Sequence, residues 1–483
     1  MGDLLQFVDT ISSSPTVLLD LNNENPFAAS QINFAPPRLR RASSSSMLSD
    51  GSTVSASSYD DRDLSLTLDL VATTQDLNAA SLQTLARLLD RDGCWLKWQP
   101  TGMTHPVFFR TKRADVNQIN DVVGAAAYRT VDLTVPAEPA AYGLAETGSF
   151  TVNNDPAHAT NPCFYQFVAA VKGDLTAPLI LDMTNSFPGF NDRTVLASSQ
   201  ALAGVSQTAP YLLQSGSFTN NTTGSTWTLT SVSSDAAMSA GNAQRFAPNA
   251  AIVGTWTTAC WVDNALTTLP PGEYRALLRV RKAAAADVWF VRGRQHVGTI
   301  PATDPVQLRV GETVTYEAGT SAGPHYLDLG VFRFPFGSPE VSSFPATPSY
   351  GAGVRLAIDL RRDVAGSTLD IDCLLLVPVN VDQAVSNRYS ATKVGATVTV
   401  GPARLRLDGV GDSRWVRDVS NVLAHGTSVT PIGDLPELVP GADNALHLVR
   451  QLDYTKAADG LTNTTIVDWT YYPRYLYVRG ATT

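Results

Sequence analysis

A mainly β fold is predicted from three observations. Apolar residues alternate with polar ones along most of the chain, turn residues recur about every ten to fifteen positions between 200 and 380, and helical periodicity is too scarce to cover a parallel sheet. With 483 residues the chain exceeds one ordinary core, so two to four domains are expected.

The opening stretch "MGDLLQFVDTISSSPTVLLDL" has no basic start, no long apolar core and no small-residue cleavage site, so no secretory signal is expected. "RLRR" (38–41), the one basic cluster, precedes "ASSSSMLSDGSTVSASS" and is expected to edge a flexible, polar arm over 42–58. In "DLSLTLDLV" (63–71), Leu64, Leu66, Leu68 and Leu70 alternate with polar residues, as in a strand with one buried face; an unpaired edge is expected there. A helix is predicted over 76–91: Leu77, Leu82, Leu85, Leu88 and Leu89 share a face, Asp76 can cap the start and Gly93 ends it. "CWLKWQP" and "PVFFRTKR" add two strands. Two prolines and a glycine in "VPAEPAAYG" (135–143) then mark a boundary, which makes 1–137 a small α+β domain.

Beyond the boundary, "FTVNNDPAHATNPCFYQF" and "AVKGDLTAPLILDMT" (170–184) are strand-like. "YRALLRVR" (274–281) and "TLDIDCLLLVPV" (368–379) belong to a central series of strands with turns such as "LPPGE" (269–273), the pattern of a sandwich or jelly roll. The last ninety or so residues are again strand, including "ATVTVGPARLRL" (396–407). There "GDLPELVPGADNALHL" (433–448) predicts a turn built by Pro440, Gly441 and Asn444, followed by a second strand and the aromatic "TTIVDWTYYPRYLYVR" (464–479).

Charged residues make up 16%, below the roughly 25% of ordinary soluble domains. That suits a surface covered by neighbours, and equally a Thr- and Ser-rich β protein. A net charge of −9 argues against nucleic-acid binding through phosphate neutralisation. No apolar run is long enough to span a membrane. Cys94, Cys163, Cys260 and Cys373 lack zinc spacing and are expected to be buried free thiols. "GTSAG" (319–323) fits the pattern of a nucleophile elbow, but Pro324 and a further strand follow Ser321 where a helix is required. The six histidines show no metal spacing, and neither "GAGVRL" (351–356) nor "DGVGDSR" (408–414) completes a phosphate-binding loop. No catalytic, cofactor-binding or metal residue is therefore assigned, no cofactor is expected, and ligand-binding residues stay unknown. Trp227, Trp256, Trp261 and Trp289 could pack a core or stack on sugar faces.

The order of these motifs resembles the distal tail proteins (Dit-like minor tail proteins) of long-tailed phages, especially those with non-contractile tails that infect actinobacteria. "SDGSTVSASSYDDRDLSLTLDLV", the helix, "CWLKWQP", "PVFFR" and "VPAEP" are similar to the ring-forming domain of that family. "FTVNNDPAHATNPCFYQF", "VKGDLTAPLILDM", "GDLPELVPGADNALHL" and "YYPRYLYVR" resemble the strands of its galectin-like sandwich. The resemblance implies a ring-forming (belt) domain over 1–137, a discontinuous galectin-like sandwich over 138–196 and 389–483, and an inserted jelly roll over 197–388, a module of the kind that binds host cell-wall glycan. It implies no enzyme. It also implies a homo-oligomeric ring, six copies in the family, at the tail tip of the virion, made in the host cytoplasm. Tail tube, tail hub or tip and tape measure proteins would be its partners. Genome DNA would pass through the lumen without specific binding.

Overall fold

The computed structural model describes residues 3–22, 26–45, 52–121, 127–153, 163–185, 194–202, 211–220, 227–235, 238–249, 254–262, 272–297, 306–316, 324–334, 354–363, 367–380, 387–394, 404–410, 415–418, 427–429, 431–433, 435–450 and 464–477. The fold is mainly β: among these residues one α-helix accompanies six sheets, none closed into a barrel. The chain divides into two compact units, 1–146 with 172–177 and 471–483, and 147–171 with 178–470.

In the first unit the nine-stranded sheet runs Val17–Asp20, Leu4–Val8, Trp95–Gln99, Val107–Thr111, Tyr128–Tyr142, Arg62–Val71, Phe27–Phe34. Val116–Asp121 and Arg474–Tyr475 also pair with Tyr128–Tyr142. Leu64, Leu66, Leu68 and Leu70 are buried as the alternation demands. Their strand is not the expected edge, however, because it pairs with Tyr128–Tyr142 on one side and Phe27–Phe34 on the other. Period-two burial identifies a face and carries no information about lateral neighbours.

The helix spans Gln75–Leu89, and its cap is Thr74 rather than Asp76: Thr74 Oγ1 accepts the Leu77 N–H at 3.3 Å. Asp76 sits in the first turn, where its charge favours the positive end of the helix dipole. Leu85, Leu88 and Leu89 are buried, but Leu77 is 54% exposed. Asn78 takes the sheet-facing position instead, donating through Nδ2 to Leu70 O (3.3 Å) and Ala127 O (3.0 Å). Asn78, Leu82, Leu85 and Leu89 lie at helical spacing, so the true apolar stripe begins one residue later than the leucines alone suggest.

The prolines of 135–143 do not end a strand, since Tyr128–Tyr142 runs through them. Pairing with Val107–Thr111 shifts between Ala137 and Ala141, and this irregularity accommodates residues without an N–H. The carbonyls remain in use: Pro136 O accepts the Lys112 N–H at 2.8 Å. The terminal aromatic stretch also departs from expectation by splitting at Pro473. Thr464–Tyr471 joins the seven-stranded sheet described below, whereas Arg474–Tyr475 pairs with Ala141 and Tyr142 in the first unit.

In the second unit, a seven-stranded sheet runs Glu146–Asn153, Thr464–Tyr471, Ala177–Asn185, Arg404–Asp408, Trp415–Asp418, Thr427–Val429, with Glu437–Leu438 beside Ala177–Asn185. A five-stranded sheet runs Phe164–Gln166, Ala442–Arg450, Thr194–Leu202, Asn387–Val394, Pro431–Gly433. Each interleaves strands from before residue 203 with strands from after 386. The junction is direct, with Thr194 opposite Val394 and Ala201 opposite Asn387. Phe150 stacks on Tyr165 with ring centroids 4.1 Å apart, and Phe167 meets Trp469 at 5.2 Å, so aromatic contacts join the two sheets. The turn expected near 440 is present. Gly441 adopts φ +71°, and Asn444 accepts the Val439 N–H while donating to Val439 O and Ala442 O, all at 2.9 Å.

Residues 211–380 form two further sheets of six strands. One runs Trp227–Val232, Ala243–Pro248, Leu369–Asn380, Gly272–Lys282, His325–Phe334, with Tyr211–Gln214 beside Leu369–Asn380. The other runs Thr219–Asn220, Thr257–Val262, Val354–Arg361, Trp289–Val297, Val306–Val310, with Val314–Tyr316 beside Trp289–Val297. Phe246, Leu278, Leu327 and Ile371 of the first meet Cys260, Val291, Ile358 and Leu360 of the second in one core. On its other face the first of these sheets buries Leu277, Tyr326, Leu375 and Val377 against Cys163 and Val449. All four cysteines are buried free thiols, as expected.

Candidate functional site: an assembly surface

The stretch expected to be a flexible arm is a β-hairpin. Leu39–Ser45 pairs with Ser52–Tyr59 from Leu39 opposite Tyr59 to Ser45 opposite Ser52, with a bulge between Ala42 and Ser43. Pairing satisfies backbone groups that a polar sequence cannot bury. Arg38 O accepts the Asp60 N–H at 2.8 Å, and Arg40 Nε lies 2.6 Å from Asp60 Oδ2, closing the base. Among the described residues this two-stranded sheet joins no other. Leu39 and Tyr59 are 41% and 39% exposed, and a two-stranded hairpin is marginally stable in water by itself.

Among the described residues Val17–Asp20, Phe27–Phe34 and Val116–Asp121 each pair with a single strand, Phe27–Phe34 being touched on its other side only by the bridge from Asn22 to Ala28. Their outward N–H and C=O groups can pair with another chain. Phe34 holds its strand in place, with its ring 4.9 Å from Trp98 and 5.0 Å from Phe109. Ser30 sits at a bulge between Ala29 and Gln31, its Oγ donating to Thr67 O at 3.2 Å. Ile119 is 45% exposed on the Val116–Asp121 edge.

Arg62 ties this surface together from behind. Fully buried, it donates from Nε (3.1 Å) and Nη2 (2.8 Å) to Pro139 O, and from Nη2 (2.7 Å) to Leu476 O. Its guanidinium lies 5.3 Å from the Phe109 ring. Burial lowers its pKa from the usual value to about 10, which leaves it charged near neutral pH.

Ser321 of "GTSAG", His158 and His425 lie outside the described residues. Of the other histidines, His105 is exposed in the first unit, while His296, His325 and His447 are buried at separate positions in the second. Among the described residues no three His, Cys, Asp or Glu side chains could hold a metal ion. No helix there is long and apolar enough to cross a membrane. The tryptophans resolve individually. Trp289 and Trp261 are buried, Trp227 packs against Trp289 with centroids 6.3 Å apart, and half-buried Trp256 lies beneath the Arg292 guanidinium at 4.2 Å. Sequence reasoning missed Arg62 and the arginines around Trp256 because their partners come from distant strands.

No protein-family model and no curated protein matches this chain. Among solved structures, the chain is similar to the Dit protein of phage SPP1, described as a paradigm of the hub adsorption apparatus in phages infecting Gram-positive hosts. That likeness has 14% identity and a TM-score of 0.29, and covers 43% of this chain and 72% of that one. It is also similar to chains of the phage p2 baseplate in its activated conformation with strontium and with calcium. Each has 10% identity and covers 77% of this chain and 98% of the other, with TM-scores of 0.24 and 0.23. Overlaps this low do not establish a common fold.

Proposed function

We propose that the chain is a structural protein of a phage tail, closing into a ring at the distal end where the tube meets the tip. The observation that carries this reading is that, among the described residues, the paired strands 39–45 and 52–59 join no other sheet while Val17–Asp20, Phe27–Phe34 and Val116–Asp121 each have a single strand neighbour. A repeated side-by-side contact around an axis would occupy such edges in each copy and leave a central opening. The order of motifs, resembling distal tail proteins, supports the same role, with six copies, a long non-contractile tail and an actinobacterial host as its finer terms. In this reading 1–137 builds the ring, 138–196 with 389–483 forms a galectin-like sandwich, and 197–388 is an inserted jelly roll. Tube, hub and tape measure proteins are the partners, and genome DNA passes through the opening. No catalytic step is assigned. Replacing residues 39–59 with a short Gly-Ser linker tests it: the variant is expected to keep its circular dichroism and lose its higher-order mass. A ring that survives the replacement would refute the role of the hairpin.

A second reading, host attachment through 197–388, is favoured by the closed pairing of 194–202 with 387–394, which lets the central sheets be carried as a separate task. Phage lacking 203–386, a deletion that spares both paired strands, would then assemble tails that fail to adsorb. Unimpaired adsorption would remove this reading.

A further inference from the structure

We propose that the outer face of the sheet containing Val354–Arg361 and Trp289–Val297 binds an anionic saccharide, with Arg292 and Arg361 gripping its phosphate or carboxylate. The inference rests on the reading of 197–388 as a saccharide-binding module and adds the ligand's charge and the residues that meet it.

Strand register assembles the site. Phe290 lies opposite Arg361, Arg292 opposite Asp359, and Asp359 opposite Thr258 on the next strand. The alternate residues Trp289, Val291, Ile358 and Leu360 fill the core, so this row points away from it. Asp359, only 3% exposed, accepts Thr258 Oγ1 at 2.8 Å, Arg292 Nε at 3.1 Å and Arg294 Nε at 3.1 Å. One buried carboxylate therefore orients two guanidinium groups from a single strand. Trp256 adds a second constraint, with Arg292 4.2 Å and Arg361 5.3 Å from its ring centroid, while Arg361 also stands 4.1 Å from Phe290. Stacking on aromatic faces fixes the planes of both forks before any ligand arrives.

The anchoring leaves donors unspent. Arg292 uses Nε on Asp359, and Arg361 has only Nε near a carboxylate, that of exposed Asp363 at 3.3 Å. Among the described residues the terminal nitrogens of both make no hydrogen bond. Arginine forks held this way match the paired oxygens of phosphate or carboxylate. The local charge is complementary to an anion even though the chain as a whole carries −9. Partly exposed Trp256 and Phe290 supply apolar surface beside the forks, suited to sugar C–H groups. A nucleic acid would require a track of cations following its backbone. Two forks at one spot instead fit a polymer with one anionic group per repeat.

The test uses the full chain with poly(glycerol phosphate), polygalacturonate, neutral dextran and single-stranded DNA of matched length. Binding is expected for one or both anionic saccharide-type polymers, the pair separating phosphate from carboxylate, and not for dextran. Arg361→Gln is expected to weaken it roughly tenfold or more with unchanged melting temperature, the cost of losing charge-assisted hydrogen bonds. Arg361→Lys should weaken it too, because the charge stays and the fork goes. Arg292→Gln should behave alike; if it unfolds for want of its grip on Asp359, Arg361→Gln carries the test. Dextran binding indifferent to Arg361 would overturn the proposal and leave the saccharide reading standing. No binding to any saccharide polymer would overturn both, and preferential binding of DNA would replace the ligand class.

Discussion

At Gly148 a Cβ atom would lie 2.4 Å from Trp469 Cζ2, inside the aromatic contacts between the seven-stranded and five-stranded sheets. Gly148→Ala must push the indole aside and is expected to cost about 1–3 kcal/mol of second-unit stability. Gly216→Ala meets nothing within 4 Å and serves as the near-neutral control in the same urea titration. Equal stability of the two variants would show that Trp469 yields freely. Arg62→Ala strands the Pro139 and Leu476 carbonyls and removes hydrogen bonds from a charged donor, so a loss of at least ~3 kcal/mol in the first unit is expected. Retained stability would show that the clamp is dispensable. The buried histidines predict a pH response. Burial lowers the His447 pKa to about 4, and burial with the nearby Arg294 cation lowers that of His296 to about 4. The unfolded chain takes up these protons near pH 6.5 and the folded chain does not until near pH 4. Stability is therefore intact at pH 7 and falls as pH drops from about 6.5 to 4, by at most roughly 3 kcal/mol per histidine. His447→Gln should shrink the fall between pH 7.5 and 5, and an unchanged slope would contradict this cause.

The elements show what periodicity can and cannot reveal. The helix, the paired strands around it and the turn at 440 were legible because each is fixed by local spacing and a few capping or turn residues. Thr74 was passed over as a cap because the neighbouring Asp76 offers the same chemistry two positions later. Thr74→Ala is expected to lower first-unit stability by about 1 kcal/mol, while Asp76→Asn should cost less. The reverse ranking in thermal unfolding would restore Asp76 as the cap. The prolines at 136 and 139 lie inside a strand for a physical reason. A strand tolerates a missing N–H at a register shift, and here the four steps from Ala137 to Ala141 face only two from Thr111 to Phe109, a mismatch visible only once the partner strand is known. The hairpin at 39–59 was hidden because serine carries no periodic apolar signal, whereas backbone pairing needs none.

For the whole molecule, the sequence suggested that strands far apart in the chain belong together, and 194–202 does pair with 387–394. What it could not reveal is which surfaces are left for other chains, since open edges are defined by neighbours that are missing. The site that holds Arg292 and Arg361 was equally invisible. Its residues come from three strands spread over about a hundred positions, and only the pairing brings them to one face. The central claim is that the first unit closes into a ring through these unused edges. The mass of the purified full-length chain in solution, taken with an electron micrograph of the same sample, tests it directly. The account predicts a single species of about six times 51.6 kDa with a central opening. A particle of 51.6 kDa at every concentration would contradict it.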